Sequence, residues 1–122
     1  MAASLGLLLL PALLWGNDGP WIRLAEDSRM VYLLERGAPA RSTTGTRTVR
    51  LKRAFREPYV ERAYALDTME IDCGRSLYRY TQIVIFDRDD DVMHRYRLTD
   101  QLAPVEPGSI PGRVKELVCT AS

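Results

Sequence analysis

From residue 21 onward, apolar and polar residues alternate in several short runs that are separated by turn-forming residues. The clearest run is Met69-Glu70-Ile71-Asp72-Cys73, in which apolar and acidic residues alternate. A period of two is typical of a strand with one buried face and one solvated face. We therefore expect a strand here, with Cys73 on its buried face.

Other segments share this strand character and end at glycine, proline or aspartate. The predicted strands are Trp21–Glu26, Met30–Leu34, Thr46–Phe55, a long strand from Tyr59 to Cys73, Arg75–Phe86 and Val92–Leu98. The sequence Asp87-Arg88-Asp89-Asp90-Asp91 predicts a turn, because short acidic side chains bond to their own backbone and tolerate left-handed geometry. The residues from Arg75 to Leu98 are therefore expected to form a hairpin.

The end of the chain has the pattern of a helix. Ser109 suits an N-cap position, and Pro111 is tolerated in a first turn. The spacing i, i+4, i+7 and i+8 predicts one apolar helix face, formed by Ile110, Val114, Leu117 and Val118. Cys119 would lie at the edge of this face or just beyond the helix. Strands followed by one terminal helix indicate an antiparallel α+β fold with the helix on one face of the sheet.

The N-terminus resembles a leader segment. Residues 5–14 are almost entirely leucine, and the apolar core of about 10–12 residues is shorter than the ~20 needed to span a bilayer. We predict a signal peptide over residues 1–19 and a single domain over residues 20–122. A buried N-terminal helix is the alternative, since no lysine or arginine precedes the apolar core.

Two cysteines, Cys73 and Cys119, are the only ones in the chain. In an exported small domain, two cysteines most simply form a disulfide bond, and two buried free thiols are the alternative. Closing a loop of this length would stabilise the fold by about 4 kcal/mol in the chain-entropy description.

Charge is nearly balanced, with 17 basic and 16 acidic residues, so the chain as a whole has no attraction to nucleic acid. Basic residues nevertheless concentrate in one predicted strand, at Arg47, Arg50, Lys52, Arg53 and Arg56. Alternation places Arg50 and Lys52 on one face, where they could bind sulfated glycans or acidic protein surfaces. A solvated face, or an edge strand protected by charge against aggregation, is the alternative.

Catalytic and metal-binding patterns are missing from the sequence. His94 is the single histidine, and no serine or cysteine nucleophile stands in a known motif. Asp87, Asp89 and Asp91 match the first three ligand positions of a calcium loop, but Val92 and Leu98 replace its glycine and final glutamate. We therefore predict no enzymatic activity, no cofactor and no metal site.

Several features occur in an order that is characteristic of one family. They are Trp21 near the start of the domain, the short strand with Val31-Tyr32, the basic strand, the Glu70-x-Asp72-Cys73 strand, Tyr78-Arg79, and the Pro104-to-Ser109 step into a helix that closes on Val118-Cys119. In this order they resemble the surface-adhesin protein E-like family of bacterial exported domains. The resemblance implies an antiparallel sheet of about six strands with a C-terminal helix tied to it by a disulfide.

The resemblance also implies a function. The family's namesake is a binder of host extracellular-matrix proteins such as vitronectin and laminin, so an exported binding module is expected. The protein would be periplasmic, secreted or on the outer surface, without a membrane span after leader removal. The alternative is an envelope protein with a structural or stress-related role and no host ligand.

Overall fold

The computed structural model describes residues 19–37, 40–41, 45–57 and 61–119. The predicted signal peptide lies outside these residues except for Gly19, as does the predicted strand start at Tyr59. The elements, in chain order, are β1 (Trp21–Glu26), β2 (Met30–Glu35), β3 (Ala40–Arg41), β4 (Arg47–Phe55), β5 (Arg62–Asp72), β6 (Leu77–Asp87), β7 (Val92–Arg97), β8 (Ala103–Pro104) and the helix α1 (Ile110–Val118).

The strands form one antiparallel sheet in the order β1-β2-β4-β5-β6-β7. Each long strand lies beside its neighbour in the chain, as short turns favour. The two-residue strands β3 and β8 pair with the first residues of β4 and β6, respectively. The predicted α+β architecture, with six main strands and a C-terminal helix, is confirmed. The two short strands were not predicted, because two residues carry no measurable periodicity.

One face of the sheet, which we call the helix face, carries the hydrophobic core. Along β5, alternate residues are buried on this face, and α1 packs over part of it. The opposite face is called the outer face. The core consists of Leu24, Leu34, Val49, Leu51, Met69, Ile71, Val114 and Val118. Full burial of an aliphatic side chain contributes about 1.5–3 kcal/mol, so this cluster supplies most of the packing energy.

The start of α1 follows the predicted capping pattern. Ser109 is the N-cap, and its Oγ accepts a hydrogen bond from the Gly112 amide at 3.1 Å. The same hydroxyl donates to the Glu106 carbonyl at 2.6 Å. A Cβ atom on Gly112 would stand 2.5 Å from that carbonyl oxygen, so only glycine allows the chain before the helix to pass this closely.

The buried side of α1 differs from the prediction at Leu117, whose exposed fraction is 44%. The residues that face the sheet are centred on Pro111, Val114 and Val118. On a helical wheel Cys119 lies on the Pro111 side of this stripe, and Leu117 lies on the opposite flank. The bond from Cys119 to the sheet is therefore made on the Pro111 side of the helix, and Leu117 is exposed on the flank that faces away from it.

The predicted disulfide between Cys73 and Cys119 is present, with 5.6 Å between the two Cα atoms. Cys73 follows the last residue of β5, and Cys119 is the C-cap of α1. Two further contacts hold the same end of the helix. Arg47 donates to the Val118 carbonyl, and the Lys115 ammonium donates to Ser76 Oγ at 2.9 Å. The covalent bond therefore acts together with two polar contacts from different segments.

We expect the loss of this bond to be the most destabilising small change at the C-terminal end of the domain. The variant Cys73→Ala, Cys119→Ala should lose up to about 4 kcal/mol of unfolding free energy, because the unfolded chain regains loop freedom. Urea denaturation of both proteins, with and without reductant, measures this. Wild-type protein should lose stability on reduction, whereas the variant should not respond. Equal stability of oxidised and reduced wild type would contradict the prediction.

Candidate functional site

The basic residues predicted to contact a ligand lie on β4, but the strand divides them between the two faces of the sheet. Val49 and Leu51 are buried in the core, so the alternate positions Arg47 and Arg53 belong to the helix face. Arg50 and Lys52 share the outer face, as predicted. The five cations therefore do not form one continuous surface.

On the helix face, both arginines have structural partners. Arg47 binds the carbonyl of Val118 at the C-terminal end of α1, where the helix dipole favours a positive charge. Arg53 binds both carboxylate oxygens of Asp67, at 2.6 and 3.0 Å. Only 5% of the Asp67 side chain is exposed, so this ion pair is largely shielded from water.

On the outer face, Arg50 binds both carboxylate oxygens of Glu35, at 3.2 and 2.5 Å. The hydrogen bond from Arg50 lowers the pKa of Glu35 below its ordinary value. The Lys52 ammonium lies 4.5 Å from the ring centroid of Tyr64 and 5.7 Å from that of Trp21. These contacts give both cations partners within the protein.

Arg56, just beyond β4, is paired with Glu26. All five predicted cations are therefore engaged inside the domain, and a ligand at β4 would compete with these contacts. Their role in ligand binding stays a prediction.

A different set of cations is exposed on β7, which the sequence analysis treated only as half of a hairpin. Arg95 and Arg97 lie opposite Val84 and Gln82 of β6, and both are exposed. Neither makes an ion pair with any other residue in the part of the chain that the structure describes. The alternating sequence His94-Arg95-Tyr96-Arg97 is the signal that could have identified this strand.

The acidic turn at the start of β7 does not neutralise these arginines. Asp87 Oδ1 accepts hydrogen bonds from the amides of Asp89 and Asp91, at 2.9 and 3.0 Å. Asp90 accepts a bond from the Tyr64 hydroxyl at 2.9 Å. Burial, reinforced by this bond, raises the pKa of Tyr64. Within residues 19–37, 40–41, 45–57 and 61–119, no three acidic, histidine or cysteine side chains form a metal-binding group.

An open cleft of about 400 Å³ lies beside β7 on the helix face. It exists because α1 is too short to cover the whole face. Nine helical residues span about 14 Å, whereas the eleven residues of β5 and of β6 extend over about 36 Å. The cleft is lined by Glu61, Arg62, Ile85, Met93, His94 and Tyr96. The stacked rings of His94 and Tyr96 have their centroids 5.9 Å apart.

The ion pair of Arg53 with Asp67 lies on the helix face, two residues along β5 from Met69 of the core. The charges of this ion pair also act on the hydroxyl group of Tyr80 in β6. Burial is the main cause that raises the pKa of Tyr80 to about 12, and the negative charge of Asp67 adds to it. The phenol is therefore neutral at physiological pH. The Asp67 carboxylate is buried and is used within the fold, whereas Arg53 keeps a quarter of its side chain exposed.

Replacing Arg53 by methionine should destabilise the fold by about 3–5 kcal/mol, because the Asp67 carboxylate would stay buried without its partner. The double variant Arg53→Met, Asp67→Leu should recover most of this loss. The control is Arg50→Ser, which breaks an exposed ion pair and should cost about 0–1 kcal/mol. Urea denaturation measures the free energy of unfolding of all three variants. A double variant as unstable as Arg53→Met would show that the charge of Asp67 is not the cause.

None of the helices in the described part of the chain has the length and apolar character that crossing a membrane requires. Comparison with curated proteins and with solved structures finds no match to this chain. The family model described as "Surface-adhesin protein E" matches residues 21–120. The match includes every strand, the helix and both cysteines. The chain therefore belongs to the surface-adhesin protein E family.

Proposed function

We propose that this protein is an exported binding module that recognises acidic segments of host extracellular-matrix proteins. Membership of a surface-adhesin family supports an adhesin-like protein at an exported location. The observation that carries the proposal is the pair of exposed arginines on β7, which have no acidic partner among the described residues.

Arginine is suited to this role. A guanidinium group binds a carboxylate or a sulfate through two parallel hydrogen bonds, which adds geometric specificity to the charge attraction. Each exposed contact contributes little, so several must act together. Binding should also weaken with salt, because charges are screened over about 8 Å at physiological ionic strength.

The β4 cations are the less favoured contact surface. Arg50 is half exposed, but two of its three guanidinium nitrogens, Nε and Nη2, already bind Glu35. A ligand carboxylate that binds these two nitrogens would have to replace Glu35. On β7, in contrast, a ligand carboxylate would exchange only water. We therefore assign the main ionic contacts to Arg95 and Arg97.

The oxidised protein should be retained on immobilised vitronectin and released by salt. The variant Arg95→Ser, Arg97→Ser should elute at clearly lower salt. The matched control Arg50→Ser, Lys52→Ser removes the same number of charges from β4, on the same face of the sheet, and should elute close to wild type. Circular dichroism and intact mass verify that each variant is folded and disulfide-bonded.

The other outcomes identify the alternatives. A larger loss in the β4 variant would place the contacts on the basic strand. Retention on heparin but not on vitronectin would indicate a sulfated glycan as the ligand. Retention on neither, together with resistance to protease added to intact cells, would favour the envelope protein without a host ligand.

A further inference from the structure

Among the six long strands that the structure describes, β1 and β7 are the two at the edges of the sheet, and they differ in how their backbone is covered. At β1, the pairing with β2 shifts between Arg23 and Ala25, which marks a bulge. The Leu24 carbonyl in this bulge accepts a hydrogen bond from Arg113 of α1 at 3.3 Å. Bulges and covering side chains are the usual means by which proteins prevent further strand addition. This edge is therefore closed.

The β7 edge is open over most of its length. Five of its six residues are exposed, and no strand in the described part of the chain pairs on its outer side. The Leu98 amide donates to the Thr81 carbonyl at 2.9 Å, so the backbone of Leu98 faces β6. Since backbone groups alternate along an antiparallel strand, Tyr96 also bonds to β6, whereas the N–H and C=O of Arg95 and Arg97 point into solvent.

The two sides of this edge have different chemistry. Arg95 and Arg97 lie on the outer face, two residues and therefore about 7 Å apart. His94 and Tyr96 lie on the helix face and line the cleft, together with Ile85. A strand placed beside β7 would thus meet cations on one face and an aromatic and aliphatic surface on the other.

We infer that β7 is the docking edge for an extended acidic segment of a protein ligand, which adds to the sheet as a further strand. Carboxylates at alternate positions would face Arg95 and Arg97, and the apolar residues between them would enter the cleft. In strand addition, main-chain hydrogen bonds provide affinity and pockets for alternate side chains provide specificity. This inference rests on the proposed function, because it specifies how a protein ligand would bind.

The other charged residues near β7 restrict the order of acidic and apolar residues that the ligand segment can have. Glu61 and Arg62 both line the cleft, so their opposite charges give it no net attraction for an acid. The acidic turn that precedes the first residue of β7 would repel an acid at that end of the edge. The ligand must therefore alternate acidic and apolar residues, and a segment with the same composition in another order should not fit.

The test uses the full, disulfide-bonded protein and a capped nine-residue peptide of alternating glutamate and valine. Fluorescence anisotropy measures its affinity, and nuclear magnetic resonance measures hydrogen exchange at single amides. The amides of Arg95 and Arg97 should exchange more slowly when the peptide binds, because they become hydrogen-bonded. Peptides with all glutamates in one block, or with alternate backbone nitrogens methylated, should bind at least about tenfold more weakly.

Two protein variants separate charge from backbone pairing. Arg95→Ser, Arg97→Ser should weaken peptide binding about 1.4- to five-fold per arginine, the range for exposed ion pairs. Arg95→Pro also removes an outward N–H, a position at which an edge strand tolerates proline. It should therefore bind more weakly than Arg95→Ser. The variant Arg50→Ser, Lys52→Ser should bind like wild type.

Three results would overturn the inference. The first is that the methylated peptide binds as well as the unmodified one, and the second is that the peptide slows exchange at amides outside β7 instead of those of Arg95 and Arg97. The third is that the protein forms a dimer that Arg95→Pro dissociates, which would assign the edge to a second copy of this chain. Failure of the proposed function is distinguishable. If the edge variants are retained on immobilised vitronectin as well as wild type, matrix binding stands, but the contacts assigned to Arg95 and Arg97 and the docking edge are wrong. If the peptide binds as expected but no matrix protein does, the edge stands and the host ligand is wrong.

Discussion

The tie between the C-terminal end of α1 and the end of β5 is the constraint on which the remaining structure depends. An isolated helix of nine residues is marginal in water, because nucleation costs more than its few hydrogen bonds return. The Cys73–Cys119 bond, together with Arg47 and Lys115, places the helix over one half of the sheet. The core forms beneath it. The short length of the helix then leaves the other half of the same face without a cover.

This division of the sheet explains why the cations of β4 have partners within the protein whereas the arginines of β7 do not form ion pairs among the described residues. β4 is central and close to the helix, so its cations are used to neutralise the helix end, to pair with buried Asp67 and to connect neighbouring strands. β7 is at the edge and beyond the helix, so Arg95 and Arg97 have no such structural task among the described residues. A high density of positive charge in the sequence therefore does not show which cations will be paired within the fold, because that pairing depends on where the strand lies in the sheet.

The sequence predicts those features that depend on local periodicity. The six main strands, the hairpin at residues 75–98, the Ser109 cap and the disulfide all follow from alternation, turn chemistry or the cysteine count. Features that depend on packing between distant segments were missed. The exposure of Leu117 depends on the rotation of the helix about its axis relative to the sheet, and the partner of each β4 arginine depends on the register between strands. The period of a single segment encodes neither this rotation nor the register.

The same distinction limits what family membership says about the ligand. Within the Glu70-x-Asp72-Cys73 motif, Glu70 pairs with Arg79 across the strands at 2.7 Å. Asp72 accepts bonds from the amide and the Nε of Arg75 at 3.0 and 2.8 Å, which closes the turn and lowers the pKa of its carboxyl group. These residues build the sheet and its connection to the helix. Membership of a family that shares this motif therefore indicates a shared fold, whereas the ligand has to be argued from residues outside the motif.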